Sequence, residues 1–370
     1  MFRDFLHTSI PGRALSGGLI SVKLVNLREF GKGNYRQLDD YAFGSGGMLF
    51  AAPQLKAALD SAITNQGSES SKPFVVFPSP QGALITQEII ETLSKHEHVI
   101  IICGHYEGID ERFTERYVDL EVSVGDCVLT GGEIPAMMIV DSMSRLVPGV
   151  VGNGRAVIED SFYRGMLDNP NYTRPAVWED MKVPEVLLSG NDGEIKRWRR
   201  RIASERTISR RPDLLSRAEI REYLSDSVNI AVMIESEDIN LDGLYELSCA
   251  YELGRPYIIA GSHELRDRIK AKYPETKIIG SINRLTEGKE NLLVIKVFSG
   301  AKVNSNHSLE IKRRCLEHDG AILFVFAENE ERLEGLESLS GISGYIYGRN
   351  INIPLNIKIG ISLDKFLGKR

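Results

Sequence analysis

The feature that most limits what this chain can fold into is an alternation of apolar runs with amphipathic segments, met twice along the sequence. In the first stretch "PFVVFPSP" ends in a proline-guarded turn, and "ALITQEIIETLSKH" follows with apolar residues at helical spacing. "HVIIICGHYEG" then reads as a buried strand running into a glycine loop, and "VGDCVLTGGEIPAMMIVDSMSR" as a turn and another helix. Strands alternating with helices predict an α/β fold with a parallel sheet covered on both faces. From about residue 228 the pattern returns in "VNIAVMIE", "LDGLYELSCAYEL", "PYIIAG", "ELRDRIKAKY", "NLLVIKVFSG", "SLEIKRRCLEH" and "AILFVFAE", with a final helix in "IPLNIKIGISLDKFLG". This predicts a second α/β domain.

Between the two lies a different kind of sequence. "SFYRGMLDNPNYTRP" is rich in Asn, Pro and Tyr and reads as a linker or loop. Beyond it, Lys196–Arg217 holds nine basic residues against the two acids Glu205 and Asp213, a local net of 9 − 2 = +7. A solvated helix face normally mixes signs. This one is nearly all positive and carries Trp198, which could stack on a base, so it predicts contact with nucleic acid. Lys196, Arg197, Arg199, Arg200, Arg201, Arg206, Arg210 and Arg211 are the candidate contacts. The whole chain carries −6, so such a surface is local rather than global.

Other classes are excluded by what is missing. Cys103, Cys127, Cys249 and Cys315 are far apart with no CxxC pair, which argues against a zinc site or disulfide framework and for a reduced cytosolic setting. No apolar run approaches membrane-spanning length, and "MFRDFLHTSIPGRAL" lacks the apolar core of a signal peptide. No GxxxxGK[ST] occurs, and "GVVGNGRAV" lacks the third glycine of a dinucleotide fingerprint. "FGSGGM" can be a plain flexible loop.

Three loops stand directly after apolar strands: "SPQG" (Ser79–Gly82), "CGHYEGIDER" (Cys103–Arg112) and "SVGDCVLTGGEIP" (Ser123–Pro135). In a parallel sheet, loops at the carboxyl ends of neighbouring strands converge on one crevice, the default ligand site. These loops offer backbone amides and carbonyls, a tyrosine, the acid Glu133 and few cations. That suits a neutral or cationic ligand with an adenine to hydrogen-bond, and does not suit a triphosphate.

In order and spacing, "SPQG", "CGHYEGIDER", "VGDCVLTGGEIPA", "DSMSRLVPGV", "EDSF", "NYTRP" and "VPEVLLSGNDGEIKRWR" resemble the bacterial tRNA (guanine-N1)-methyltransferase family of the SPOUT class, from residue 1 to about 225. The resemblance implies a trefoil-knotted α/β domain over residues 1–160, a linker over 161–174 and a helical tRNA-binding domain over 175–225. It implies S-adenosylmethionine in the knot, held by Pro78, Ser79, Pro80 and Gly82 from the first loop and Gly104, Tyr106, Glu107 and Gly108 from the second. Ser123, Val124, Gly125, Cys127, Leu129, Gly131, Gly132 and Pro135 complete it from the third. It further implies magnesium, with Glu107 as its partner, and a cytoplasmic homodimer that methylates guanosine 37 of tRNA. In that dimer the cofactor of one subunit faces Asp160 and the basic helices of the other.

The chemistry can be argued separately. N1 of guanine carries a proton, so methylation there needs a base, and the charge that develops on O6 needs a fixed cation or donor. A carboxylate and an arginine are the minimum set, and the family's motif places them at Asp160 and Arg145. Taken without the family, Asp160 reads first as a helix N-cap and Arg145 as a solvated charge, and Tyr106 and Cys103 could be plain core.

Two departures from the family stand out. Its members carry a first strand and a Phe-Pro turn before the helix equivalent to "MFRDF", so a gap in the sheet is expected, read as a misassigned or truncated start that an intact mass would test. Residues 228–370 resemble a second SPOUT family of RNA methyltransferases, but its glycine-rich loop is replaced by the acidic "AENEERLEG". Loss of those glycines should obstruct close backbone approach to a cofactor, so a second knotted domain serving dimerisation or RNA contact is expected, with a second methyltransferase as the alternative. A tRNA-binding protein without catalysis is the competing reading of the first domain.

Overall fold

The computed structural model describes residues 2–44, 47–64, 72–152, 160–224, 227–237, 239–289, 291–299, 306–334, 336, 341–346 and 354–368. The chain divides into two units, Met1–Tyr163 and Arg164–Arg370.

In the first unit, α1 (Phe2–Leu6) and α2 (Ser9–Ser16) precede an antiparallel pair, β1 (Asp39–Tyr41) with β2 (Met48–Phe50), and α3 (Ala52–Thr64). The sheet that follows is parallel, in the order β4-β3-β5, from β3 (Phe74–Leu84), β4 (Val99–Ile101) and β5 (Leu120–Ser123). Alternation along β3 divides the core. Val75 and Phe77 face Leu55, Leu59 and Phe113, whereas Val76 faces Ile90, Leu93, Val122 and Ile139. Helices α3 and α5 (Glu111–Tyr117) supply the first side, α4 (Gln87–Ser94) and α6 (Glu133–Leu146) the second. The expected alternation and helix-covered sheet are therefore present. Two expectations change: "PFVVFPSP" does not end in a turn, since β3 runs through it to Leu84 and the helix starts only at Gln87, and "HVIIIC" gives not a buried strand but β4, a half-buried, three-residue strand pairing only with β3. A cavity of about 1570 Å³ lies beside it, lined in part by Leu24, Ile100, Ile101, Met143 and Glu133.

The second unit opens with a hairpin, β6 (Val177–Trp178) with β7 (Met181–Lys182), then α7 (Glu185–Leu188) and the basic helix α8 (Asp192–Arg210). A six-stranded sheet follows: β8 (Val228–Ile234), β9 (Tyr257–Ala260), β10 (Lys277–Ile279), β11 (Leu292–Ser299), β12 (Ala321–Ala327) and β13 (Gly341–Ile346). Their order is β10-β9-β8-β12-β11-β13 and every pair is parallel. The helices are α9 (Leu241–Ala250), α10 (His263–Lys272), α11 (Asn283–Thr286), α12 (Asn306–Glu317), α13 (Glu331–Glu334) and α14 (Leu355–Leu367). Central strands β8 and β12 are apolar almost throughout because both faces are covered. Residues 300–303 of "FSGAKV" and 348–353 of the terminal loop read as part of a knot lie outside the described residues.

The second sheet and the basic segment share one core. Met166, Leu215, Ala218, Ile220 and Leu224 pack in the same cluster as Val228, Ile230, Phe324 and Phe366. Lys312 of α12 is buried among them, 5% exposed, and donates from Nζ to the Ala218 carbonyl at 2.7 Å. Burial pushes its ammonium down to about 8, against the opposing pull of Asp364 and Glu219. The unfolded chain holds that proton up to the ordinary value of 10.5. Between the two values the unfolded state binds the extra proton, so this group's contribution makes stability rise with pH across that window. Relative to Lys312→Met, which lacks the titrating group, the parent is therefore expected to gain stability between pH 7 and about pH 10.5. Urea midpoints of both proteins at the two pH values check this.

Candidate functional site

The second and third loops are tied together, and the first lies against β5, the strand that leads into the third. Between Pro78 and Ala83 the register of β3 against β5 shifts, so Ser79–Gly82 bulges from the ladder at the carboxyl end of the strand. Gly82 crosses so close to β5 that a Cβ there would lie 2.3 Å from the Val122 nitrogen. Pro78 is buried, Ser79 and Gly82 half-buried, and Pro80 exposed.

The second loop is fastened to the third. Gly132 N donates to the Gly104 carbonyl at 2.9 Å, and His105 bridges Gly131. A Cβ on Gly132 would sit 2.8 Å from the Cys103 Cα and 2.9 Å from the Gly104 nitrogen, so glycine is what lets the two backbones approach. Tyr106 holds φ +60°, rare for an aromatic residue, and keeps its ring edge-on to Phe50 with its side chain largely exposed. Such local strain clusters at functional loops. Gly108 N donates to His105 O at 3.1 Å, closing the turn that carries Tyr106 and Glu107.

In the third loop, Ser123 is buried and its Oγ accepts from Gly125 N at 3.3 Å, while Ser123 O accepts from Ile85 N at 2.8 Å. Val124 and Gly131 are half-buried, Cys127 and Leu129 exposed, Gly132 and Pro135 buried. The loop ends at Glu133, in the first turn of α6, where a helix N-terminus favours an acid. Its Oε1 lies 2.5 Å from His105 Nε2. From sequence, Glu133 stands out only as an acid among the three loops, and His105 has no role. The pair spans 28 residues, and only its place inside two adjoining motifs could have drawn attention to it.

Cations are scarce here. Arg112 of the second loop is committed to Asp110, donating from Nε at 3.0 Å and Nη2 at 2.7 Å and holding that carboxyl below its ordinary range. The cradle is thus glycine-walled, rich in backbone donors and acceptors, and electrically suited to a neutral or cationic ligand. Glu107 is exposed, its side chain against Gly47. Among the described residues no group of three or more His, Cys, Asp or Glu is placed to hold a metal ion. A magnesium ion usually keeps several waters and takes one or two carboxylates, and Glu107 is the one expected to contribute.

Burial pushes the Cys103 thiol up to about 12, with Glu133's charge adding to the effect, and burial alone does the same for Cys315. Cys127 and Cys249 are exposed. A thiol reagent at pH 8 should therefore titrate two cysteines quickly and two only on unfolding, since the thiolate is the reactive form. Four fast thiols would contradict this arrangement.

Arg145, at the last turn of α6, and Asp160 meet directly, Arg145 Nη2 donating to Asp160 Oδ2. Their side chains keep 42% and 50% exposure, so the pair is open to a ligand. In the second unit, the candidate tRNA contacts all fall on or just beyond α8. Lys196, Arg197, Arg199, Arg201 and Arg210 are exposed, and Arg200, Arg206 and Trp198 half-buried. Trp198 lies against Tyr172, ring centroids 6.4 Å apart. Arg211 is committed bidentately to Asp213, at 2.9 and 2.8 Å, which reduces what it can offer a phosphate. No described helix is long and apolar enough to cross a membrane.

Comparison with known proteins bears on both units. A relative from Moorella thermoacetica, a tRNA (guanine-N(1)-)-methyltransferase, is 49% identical over 221 residues, 60% of this chain and 88% of the relative. A protein of the same name from Ruminiclostridium cellulolyticum is 45% identical over 224 residues, 60% of this chain and 95% of its own. One from Chlamydia pneumoniae, also so named, is 36% identical over 335 residues, 90% of this chain and 80% of the relative, so that similarity runs on into the second sheet. The family profile described as tRNA (Guanine-1)-methyltransferase TrmD matches residues 1–217. With its loops, its paired arginine and carboxylate and its basic helix all inside that span, this chain belongs to the tRNA (guanine-1)-methyltransferase TrmD family.

Proposed function

We propose that this chain methylates N1 of guanosine 37 in tRNA, using S-adenosylmethionine, with Asp160 as general base and Arg145 as the donor to O6. The observation that carries the assignment of roles is the contact between those two side chains. The guanine edge presents a donor, N1–H, beside an acceptor, O6. A carboxylate beside a guanidinium presents the complementary pair, so guanine can take up both groups as they part. Asp160 then accepts the N1 proton, and Arg145 donates to the charge that develops on O6. S-adenosylmethionine, bound in the glycine-walled cradle, supplies a methyl already activated by its sulfonium. Gly82, Gly104, Gly131 and Gly132 let backbone approach its adenosine, and the lack of free cations there accords with a ligand that has no phosphate.

A substrate series tests the roles. Inosine at position 37 keeps N1–H and O6, and should be methylated at a rate within about tenfold of guanosine. Adenosine has no N1 proton and no O6, and should not react. Equal reaction of all three would overturn the reading.

The basic face of α8 is proposed to grip tRNA phosphates. Arg197→Ala with Arg199→Ala should raise Kd and lower the slope of log Kd against log salt by about 1.4–1.8, from 0.7–0.9 per charge. An unchanged slope would remove these residues from the interface. A cytoplasmic homodimer with knotted subunits completes the proposal. It is supported by apolar side chains left open on the first unit, Ile134 and Met138 on one face of α6 at 46% and 45% exposure and Val128 at 98%. Sedimentation of the full chain should give a dimer.

The second sheet is proposed to be a SPOUT-like domain that binds no cofactor. Where strand order reverses, between β8 and β12, its crevice is closed by its own side chain. Glu328 accepts from the backbone nitrogens of Glu235 at 2.7 Å and Ser236 at 3.1 Å, and from Ser236 Oγ at 2.7 Å. Calorimetry on the full chain should give one S-adenosylmethionine per chain, and two would contradict this.

A further inference from the structure

Helix α8 has little anchorage of its own. Of its 19 residues only Ala203, Ser204 and Thr207 are buried. The segments leading into it and out of it, however, run through the core of the second sheet. On the way in, Met166 is buried in that core, and Leu167 N donates at 2.9 Å to Thr207 Oγ1, which itself donates to Ala203 O at 2.8 Å. On the way out, Ile220 N donates to Leu367 O of α14 at 2.7 Å, and Arg221 Nε to Tyr251 O, just past α9, at 3.1 Å.

The two segments also touch each other. Glu219 N donates to Arg164 O at 3.0 Å, and a Cβ on Gly165 would lie 2.8 Å from the Ala218 Cα. Helix α12 closes the joint. It packs on α8, sends Ile311 and Cys315 into the cluster that Ile208 joins, and sends Lys312 to the Ala218 carbonyl. A lysine is an expensive way to fill an apolar core, and an apolar side chain there would be at least as stable. What the lysine adds is direction, because its ammonium fixes the backbone that leaves α8 to one place on α12.

We propose that the C-terminal α/β domain is a brace that makes α8 part of a rigid body, and that Lys312 is the positioning residue of the joint. The work of the domain is then to present the basic face as a fixed array, so that little is lost in ordering it when tRNA binds. This rests on the reading of α8 as a tRNA surface.

The test uses the full chain and two variants, Lys312→Met, which removes the tie and keeps the apolar stem, and Ile208→Ala, which thins the same joint from the α8 side. KM for an unmodified tRNA transcript should rise about tenfold in each, with kcat and the Kd for S-adenosylmethionine within about twofold of the parent. Hydrogen exchange should speed up in α8 while β8 and β12 stay protected. A misfolded domain would instead lose protection in the strands. If Lys312→Met does so, Ile208→Ala decides. Unchanged KM and unchanged α8 exchange in the folded variants overturn the brace. Should Arg197→Ala with Arg199→Ala leave tRNA affinity intact, the tRNA reading of α8 fails instead, whatever the joint does.

Discussion

Asp160→Asn should lower kcat for methyl transfer by about 100- to 10,000-fold while leaving the affinities for tRNA and S-adenosylmethionine within about threefold. The substitution keeps the size of the side chain and its ability to pair with Arg145 through the remaining oxygen. What it removes is the capacity to hold the N1 proton. Arg145→Ala acts on the same event from the other side, removing the donor from the developing charge on O6, and about 100- to 1,000-fold in kcat is expected. Because the two side chains act as one unit, the double variant should fall well short of the product of the single losses. Rates under saturating tRNA and cofactor separate these effects from binding. An Asp160→Asn enzyme with near-parent kcat would leave Asp160 as a turn residue that pairs with Arg145 and takes no proton, since no helix follows it for the N-cap expected from sequence.

The second large effect is expected at Gly132. Its φ is −78°, which any residue can adopt, so the backbone raises no objection to alanine. Space does. The new methyl would stand 2.8 Å from the Cys103 Cα and 2.9 Å from the Gly104 nitrogen, both backbone atoms that cannot swing aside. The Gly132–Gly104 hydrogen bond must lengthen and the cradle open, at about 1–3 kcal/mol of strain. Gly132→Ala should weaken S-adenosylmethionine binding at least tenfold and lower the melting temperature, as calorimetry and thermal unfolding would show. Gly152→Ala is the control, since a Cβ there would meet nothing within 4 Å. Unaltered cofactor affinity in Gly132→Ala would remove the third loop from the cradle.

Legibility from sequence followed the range of the interactions. Strands β3, β8 and β12 and helices α4, α6, α8 and α9 were readable because each carries its own period in consecutive residues. The place of the three loops at the carboxyl ends of neighbouring strands followed from the topology of a parallel sheet. β10 was not readable, because three residues carry too little pattern. Nor was β13, whose "GISGYI" includes two glycines that weaken strand propensity. The apolar residues Ala218, Ile220 and Leu224 looked like the fringe of a basic segment, and only tertiary packing turns them into core of the second sheet. The same holds for the site. Asp160 and Arg145 were reached through the order of motifs, whereas the His105–Glu133 pair depends on two loops meeting, which no local spacing encodes.

The most direct test of the whole account is methyl transfer by the full chain. An unmodified tRNA transcript with guanosine at position 37, incubated with the protein and labelled S-adenosylmethionine, should gain one methyl group, and nucleoside mass spectrometry should place it on N1 of that guanosine. Tight binding of the transcript with no transferred methyl, under conditions where S-adenosylmethionine also binds, would show a tRNA-binding protein without catalysis and contradict the account.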